Sequence, residues 1–182
     1  MGGVIGDILP LALGVAISPV PIIAVILMLF SKRAKGNGPA FLLGWITGLS
    51  AAFWIVYAIA GTADIATKSG PSRGASIVRL VLGVLLFIAA WRNWRKRREP
   101  GEEPAMPKWM STIDTITPIK SFGLATLLSG ANPKNLALTL AASMAVSQGG
   151  MGGGKSAIAF AVFLVIAIVS VAVPVMASLL LK

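Results

Sequence analysis

The sequence GANPKN, residues 130–135, places a proline, two amides and a cation inside an otherwise apolar run. The run continues as LALTLAA, residues 136–142, a composition typical of a membrane helix. A charge at the centre of such a helix costs about 2.5 to 3.5 kcal/mol on insertion scales, so charged residues there usually face a cavity, a partner or a substrate. Lys134 therefore marks a candidate functional site.

An earlier stretch has the same pattern of a small residue, a polar side chain, a proline and an apolar helix. AISPVP, residues 16–21, is followed by the apolar run IIAVIL, residues 22–27. Proline removes a backbone donor and clashes with the carbonyl group four residues earlier. We therefore predict that Pro19, Pro21 and Pro133 each interrupt a helix, and that the chain carries two copies of one broken helix.

The composition indicates an integral membrane protein. Of the 182 residues 56% are hydrophobic and 12% are charged, with a mean hydropathy of +0.86. Soluble domains are about 45 to 50% apolar. The chain has no histidine, no cysteine and six acidic residues, all outside the apolar runs, which leaves few groups for a metal, a cofactor or acid–base catalysis. We expect neither an enzyme nor a metal or cofactor site.

Five stretches are long and apolar enough to cross a bilayer core of about 30 Å. They lie at residues 8–30, 40–60, 75–91, 122–146 and 157–181. In the second stretch Gly44 and Gly48 are four residues apart, a spacing that allows helices to pack closely.

These stretches predict a single all-α transmembrane domain over residues 1–182. A first half, residues 1–94, and a second half, residues 121–182, are joined by a cytoplasmic linker at residues 95–120. Two halves of similar pattern and opposite orientation are typical of inverted-repeat transporters, in which the substrate binds near the membrane midplane at broken helices. We expect the midplane site at the two proline motifs.

Loop charge predicts the orientation. The connections at residues 31–38 and 92–120 carry three and seven cations. By the positive-inside rule both are cytoplasmic, which places the N-terminus outside and Lys182 inside. Because the cations are concentrated in short loops, nucleic-acid binding is not expected.

A basic cluster lies in the second of these connections. It consists of Arg95, Lys96, Arg97 and Arg98. The cluster either binds anionic lipid headgroups, to which each cation contributes about 1 kcal/mol, or only anchors the topology.

The proline motifs and their surroundings resemble the GAP family of actinobacterial envelope proteins, also called Sap or glycolipid-addressing proteins. The resemblance rests on residues 17–29, residues 33–45 and the sequence NPKNL at residues 132–136, and it covers nearly the whole chain. The family is similar to the LysE exporters, which share paired proline motifs in their first and fourth helices. The resemblance implies a multi-pass protein of the bacterial inner membrane that assists the export of glycolipids or peptidoglycolipids.

The family pattern has six helices in two sets of three, whereas this sequence is expected to end after its fifth. Either the chain is truncated or the sixth helix of the LysE-like bundle comes from elsewhere. A partner could supply it, and we expect that a homo-oligomer or a larger envelope complex is possible.

The family motifs define the candidate substrate-binding residues. They fall on Ser18, Pro19, Pro21, Asn132, Pro133, Lys134 and Asn135. We expect the prolines to open the helices, the serine and the amides to donate and accept hydrogen bonds, and Lys134 to bind a phosphate, sulfate or carboxylate. The alternatives for Lys134 are snorkelling toward one face or capping of carbonyl groups freed by the break.

The leading functional hypothesis is a transporter or export factor for an anionic lipid or glycolipid, with lateral access from the bilayer. The alternatives are a LysE-like exporter of a small solute or ion, and an accessory subunit that does not itself transport. No ATP-binding motif is present, so uphill transport would need an ion gradient or a partner.

Overall fold

The computed structural model describes residues 1–64 and 115–180, and between them only the single helical positions 80, 84, 87, 88, 91 and 95. The helices of the two long ranges are α1 (Gly2–Ala16), α2 (Pro19–Leu29), α3 (Ala34–Asp64), α4 (Pro118–Gly130), α5 (Pro133–Gln148) and α6 (Gly153–Leu180). Those ranges contain no strand. The all-α class is therefore confirmed for the described part of the chain.

The two helix breaks arise from the residues that precede the prolines. Pro19 and Pro133 are the first residues of α2 and α5, where proline is well accommodated. A residue before proline is driven out of the α region, and Ser18 (φ −114°, ψ 107°) and Asn132 (φ −69°, ψ 121°) are extended. The prediction that Pro21 also interrupts a helix is wrong, because Pro21 lies within the first turn of α2, where no N–H has a helical partner.

The start of α3 lies inside a stretch that we expected to be a loop. The sequence KGNG, residues 35–38, belongs to the predicted connection 31–38 but forms the beginning of α3. Asn37 is fully buried there, and its Nδ2 donates to Ser31 Oγ (3.2 Å) and to the Ile116 carbonyl (3.1 Å). Tertiary hydrogen bonds thus override the weak helix propensity of this segment.

Helix length and hydropathy support a membrane protein. Two helices are long and apolar enough to cross a membrane, Ala34–Ile59 within α3 and Gly153–Leu180. The pair α1 and α2, bent by 51°, counts as a third if the two helices form one span rather than a re-entrant loop. The fourth predicted span corresponds to α4 and α5, which are not among these candidates. Most of the third, residues 75–91, and most of the linker at 95–120 lie outside the described residues. The total of five spans stays a prediction.

Contacts between distant segments establish the helix directions. Val4 lies against Gly149, Leu138 lies against Gly14, and Ser18 is hydrogen bonded to Asn135. Residue numbers therefore rise along α1 as they fall along α5, so these two helices are antiparallel. The first and fourth predicted spans run in opposite directions at this contact, and the inverted repeat of the whole chain stays a prediction.

The core lies between α3 and the helices around it. Trp45, Phe41, Phe53 and Phe163 are among its largest fully buried side chains. The Phe53 ring centroid lies 5.9 Å from that of Phe163, which joins α3 to α6. This packing holds α3 in place as the helix against which α4 and α5 lie.

The packing of α3 on α4 depends on two glycines. A Cβ at Gly44 would overlap the Phe122 carbonyl oxygen, and a Cβ at Gly48 would overlap the Ser129 hydroxyl. Thr126 Oγ1 donates a hydrogen bond of 3.2 Å to the Gly44 carbonyl. The close approach predicted from the glycine spacing is therefore confirmed.

We predict that Gly44→Ala destabilises the protein by about 1 to 3 kcal/mol or more, because the new methyl group meets backbone that cannot rotate away. Gly123→Ala, in α4, is the matched control, since its Cβ enters open space. Alanine has the higher helix propensity, so this control should raise stability by up to about 1 kcal/mol. Thermal unfolding in detergent measures both. Equal melting temperatures for the two variants would contradict the packing account.

Candidate functional site

The two helix breaks lie against each other, although they are more than a hundred residues apart in sequence. Ser18 Oγ, at the α1–α2 break, donates a hydrogen bond of 2.8 Å to Asn135 Oδ1, just after the α4–α5 break. Both side chains are buried, with Ser18 3% and Asn135 0% exposed. A buried hydrogen bond of this kind fixes the two segments relative to each other.

Lys134 bridges the breaks through its ammonium group. Its Nζ donates to the Ile17 carbonyl at 2.6 Å and to Ser18 Oγ at 3.3 Å. The helical donor for the Ile17 carbonyl would be the N–H of residue 21, which is a proline and has none. A cation is also favoured at a helix C-terminus. The carbonyl capping considered for Lys134 from the sequence is therefore present in the structure.

Asn135 performs the matching task at the other break. Its Nδ2 donates to the Leu128 carbonyl at 3.2 Å while its Oδ1 accepts from Ser18. Both ends of the amide are in use within the protein. Asn135 therefore acts in this structure as a brace between the two breaks, whereas the sequence suggested a direct ligand.

Asn132 is the N-cap of α5. Its Oδ1 accepts a hydrogen bond from the Lys134 N–H at 3.1 Å, which satisfies one of the free donors in the first helical turn. The cap sets the direction in which α5 leaves the break, and with it the position of Lys134. Its side-chain oxygen is thus used for positioning.

The crossing of the breaks opens onto the surface of the bundle. Lys134, Pro19 and Pro133 are exposed, and Ile17 is 68% exposed, whereas Pro21 is buried. An ammonium group has three donors, and two of those on Lys134 are used by protein acceptors. One donor of an accessible cation therefore remains for a ligand.

Sequence reasoning missed a buried polar stripe that continues from Asn135 along α5. Thr139 is fully buried and its Oγ1 has no partner among the described residues, and Ser143 Oγ donates to the Phe53 carbonyl at 2.7 Å. Residues 135, 139 and 143 are four apart, so they share one helix face. That spacing of polar side chains in an apolar run was the signal that could have found them.

An apolar groove of about 430 Å³ reaches the α4–α5 break from the α3 side. Small residues of α3, including Gly48 and Ala52, form one wall, and Leu136 and Leu140 of α5 form another. Gly130 and Ala131 at the break close one part of it. An apolar surface and a cation thus flank the beginning of α5.

Of the predicted basic cluster, only Arg95 lies among the described residues. Its guanidinium carbon is 5.6 Å from the centroid of the Trp91 ring, a distance within the range of a cation–π contact. Lys96, Arg97 and Arg98 lie outside the described residues. Headgroup binding by this cluster therefore stays a prediction.

A family model described as Sap, sulfolipid-1-addressing protein, matches residues 8–182. No curated protein and no solved structure matches the chain. The matched range includes both helix breaks and agrees with the resemblance based on the proline motifs, whereas the relationship to the LysE exporters stays a prediction.

We predict that Ser18 and Asn135 are energetically coupled. Asn135→Ala removes the acceptor of the Ser18 hydroxyl proton and the side-chain donor to the Leu128 carbonyl, at a cost of about 1 to 3 kcal/mol for a buried group. Once Ser18 is alanine, the same change should cost less. A double-mutant cycle in detergent should give a coupling energy of about 0.5 to 3 kcal/mol. Additive effects of the two substitutions would contradict a stabilising hydrogen bond between Ser18 and Asn135.

Proposed function

The chain belongs to the Sap, sulfolipid-1-addressing protein family, and we propose that it exports or addresses an anionic lipid of the cell envelope. Recognition of the headgroup is assigned to the crossing of the two helix breaks. The observation that carries this proposal is the position of Lys134, which lies in the first turn of α5 at one break, bonds through its ammonium to Ile17 and Ser18 at the other, and remains exposed.

The chemistry of Lys134 favours an anionic headgroup. Its remaining donor can reach a sulfate or phosphate oxygen, and charge-assisted hydrogen bonds of this type are about twice as strong as neutral ones. The description of the family names a sulfolipid. A lipid with an anionic headgroup therefore agrees with both the site and the family.

The surroundings of Lys134 favour an amphiphile over a small polar solute. Exposed apolar side chains such as Ile17 lie beside the cation, and the apolar groove of about 430 Å³ reaches the same α4–α5 break. In a bilayer, such a surface is accessible from the side. We assign the acyl part of the lipid to this apolar surface and its headgroup to Lys134.

Binding would change the hydrogen bonds that connect the two breaks. Without a ligand, the Ile17 carbonyl and the Ser18 hydroxyl hold the ammonium of Lys134. An anionic headgroup competes with these neutral acceptors, and each contact that it takes over removes one link between α1 and α5. The hydrogen bond between Ser18 and Asn135 remains, so the two breaks stay connected while their contacts through Lys134 are lost.

We further propose that the protein lies in the bacterial inner membrane with the basic segment at residues 31–38, which joins α2 to the start of α3, in the cytoplasm. Gly36 lies against Pro118 of α4, and Ser178 of α6 lines a cavity with Phe30, so these segments share one end of the bundle. The three cations of the basic segment favour the cytoplasmic side for that end. The N-terminus would then lie outside.

We regard the protein as a carrier without catalytic activity of its own. An accessory role in a larger envelope complex is the second candidate. The two candidates differ in one outcome, since a carrier moves lipid when reconstituted alone and an accessory subunit requires its partner.

Substitution of Lys134 tests the proposal. Lys134→Met should abolish transfer of a fluorescent sulfated or phosphate-bearing lipid in reconstituted vesicles, because it keeps the apolar stem and removes the charge. Lys134→Arg should retain part of the activity, since the charge survives in a planar group. The same Met substitution at Lys155, an exposed cation at the start of α6, is the charge-matched control.

The structure also predicts a modest loss of stability for Lys134→Met, because the Ile17 carbonyl loses its partner. A cation at a helix end contributes about 0.3 to 1 kcal/mol when exposed. Thermal unfolding in detergent separates this effect from transport. Full activity of Lys134→Met, or a loss no larger than its unfolded fraction, would make the lysine purely structural and would remove the proposal's main support.

A further inference from the structure

Two cavities meet at the end of α2 that is remote from the helix breaks. One has a volume of about 520 Å³ and is lined by residues of the α2–α3 turn and by Pro118. The other has a volume of about 430 Å³ and is lined mainly by the last residues of α2 and by Ser178 of α6. Ser31 lines both cavities, so they share a wall.

The first cavity is basic. Lys32, Arg33 and Lys35 contribute to its lining, and no acidic side chain of the described residues lies among them. The N-terminus of α3 begins at Ala34 between these cations and adds a partial positive charge. Three cations and a helix N-terminus around one cavity favour a group with several anionic oxygens, such as a phosphate.

The second cavity is apolar. Ile26, Leu29 and Phe30 supply its α2 side, and Phe30 is 84% exposed. It adjoins the basic cavity at Ser31, between Phe30 of the apolar lining and Lys32 of the basic lining. An acyl chain fits such a surface, because it removes exposed apolar side chains from water at the membrane interface.

The turn that separates the cavities is held in place by buried hydrogen bonds. Ser31 Oγ donates to the Met28 carbonyl at 2.7 Å and accepts from Asn37 Nδ2 at 3.2 Å. Ser121 Oγ of α4 donates to the Asn37 carbonyl at 2.8 Å. These contacts fix the cations relative to the apolar cavity, which distinguishes the turn from a mobile basic loop that only sets topology.

We propose that these two cavities form a binding site for an anionic phospholipid of the bilayer. Its phosphate lies among Lys32, Arg33 and Lys35, and one acyl chain lies along Ile26 and Phe30. The eleven residues of α2 lie between the cations that hold this phosphate and the helix breaks, a length of about 16 Å at 1.5 Å per residue. This phosphate position is therefore distinct from the headgroup position proposed at Lys134.

The headgroup part is tested with the full chain in phosphatidylcholine nanodiscs that contain a minor fraction of phosphatidylglycerol. Native mass spectrometry then counts the phosphatidylglycerol molecules that remain bound. Arg33→Gln should weaken retention about fivefold, the effect of one cation at an anionic surface. Lys155→Gln removes one exposed cation elsewhere and should leave retention unchanged. Equal losses in these two variants would mean that retention reports overall charge, which would overturn the site.

The acyl part is tested at Ser178. Ser178→Leu fills the apolar cavity and should lower retention of phosphatidylglycerol, whereas Ser178→Ala removes the hydroxyl without adding bulk and should not. Soluble glycerol phosphate distinguishes a lipid from a free anion, because it carries the same phosphate without a chain. Displacement of the lipid by millimolar glycerol phosphate, or unchanged retention in a folded Ser178→Leu, would overturn the assignment of a lipid.

Discussion

The hydrogen bond from the Lys134 ammonium to the Ile17 carbonyl is the contact on which the arrangement of the breaks depends. Ile17 caps the end of α1 and Pro21 has no N–H, so the Ile17 carbonyl has no helical donor. Lys134 supplies the donor from the other half of the chain at 2.6 Å. Asn135 does the same for the Leu128 carbonyl at 3.2 Å. At each break, a carbonyl group accepts a hydrogen bond from a side chain in the first turn of α5, Lys134 at the first break and Asn135 at the second.

This arrangement explains why an expensive residue is tolerated in an apolar chain. A lysine in a membrane helix is costly unless its charge meets acceptors or water. Here its ammonium has two acceptors and an open surface. The buried hydrogen bond between Ser18 and Asn135 keeps the two breaks in contact when the Lys134 ammonium changes partner. The lysine can therefore be both a structural cap and a ligand for an anion.

The sequence predicted which residues would meet and did not predict how they would divide their tasks. Ser18, Lys134 and Asn135 stood out because polar groups beside prolines are rare in apolar runs. That Asn135 is a brace and Asn132 a cap depends on distances across the bundle, which no local pattern contains. The start of α3 was missed for a related reason, since only the tertiary bonds of Asn37 make a helix of the segment KGNG.

Solid-state NMR of the protein in bilayers tests the central claim most directly. The dipolar coupling between ¹⁵Nζ of Lys134 and the ¹³C carbonyl of Ile17 should be measurable in phosphatidylcholine alone, as expected for an Nζ–O distance of 2.6 Å. Lys134→Arg identifies the signal by its loss. Addition of a sulfated lipid should weaken the coupling as the ammonium turns to the headgroup. A coupling absent from the ligand-free protein, or unchanged by a bound sulfated lipid, would contradict the account.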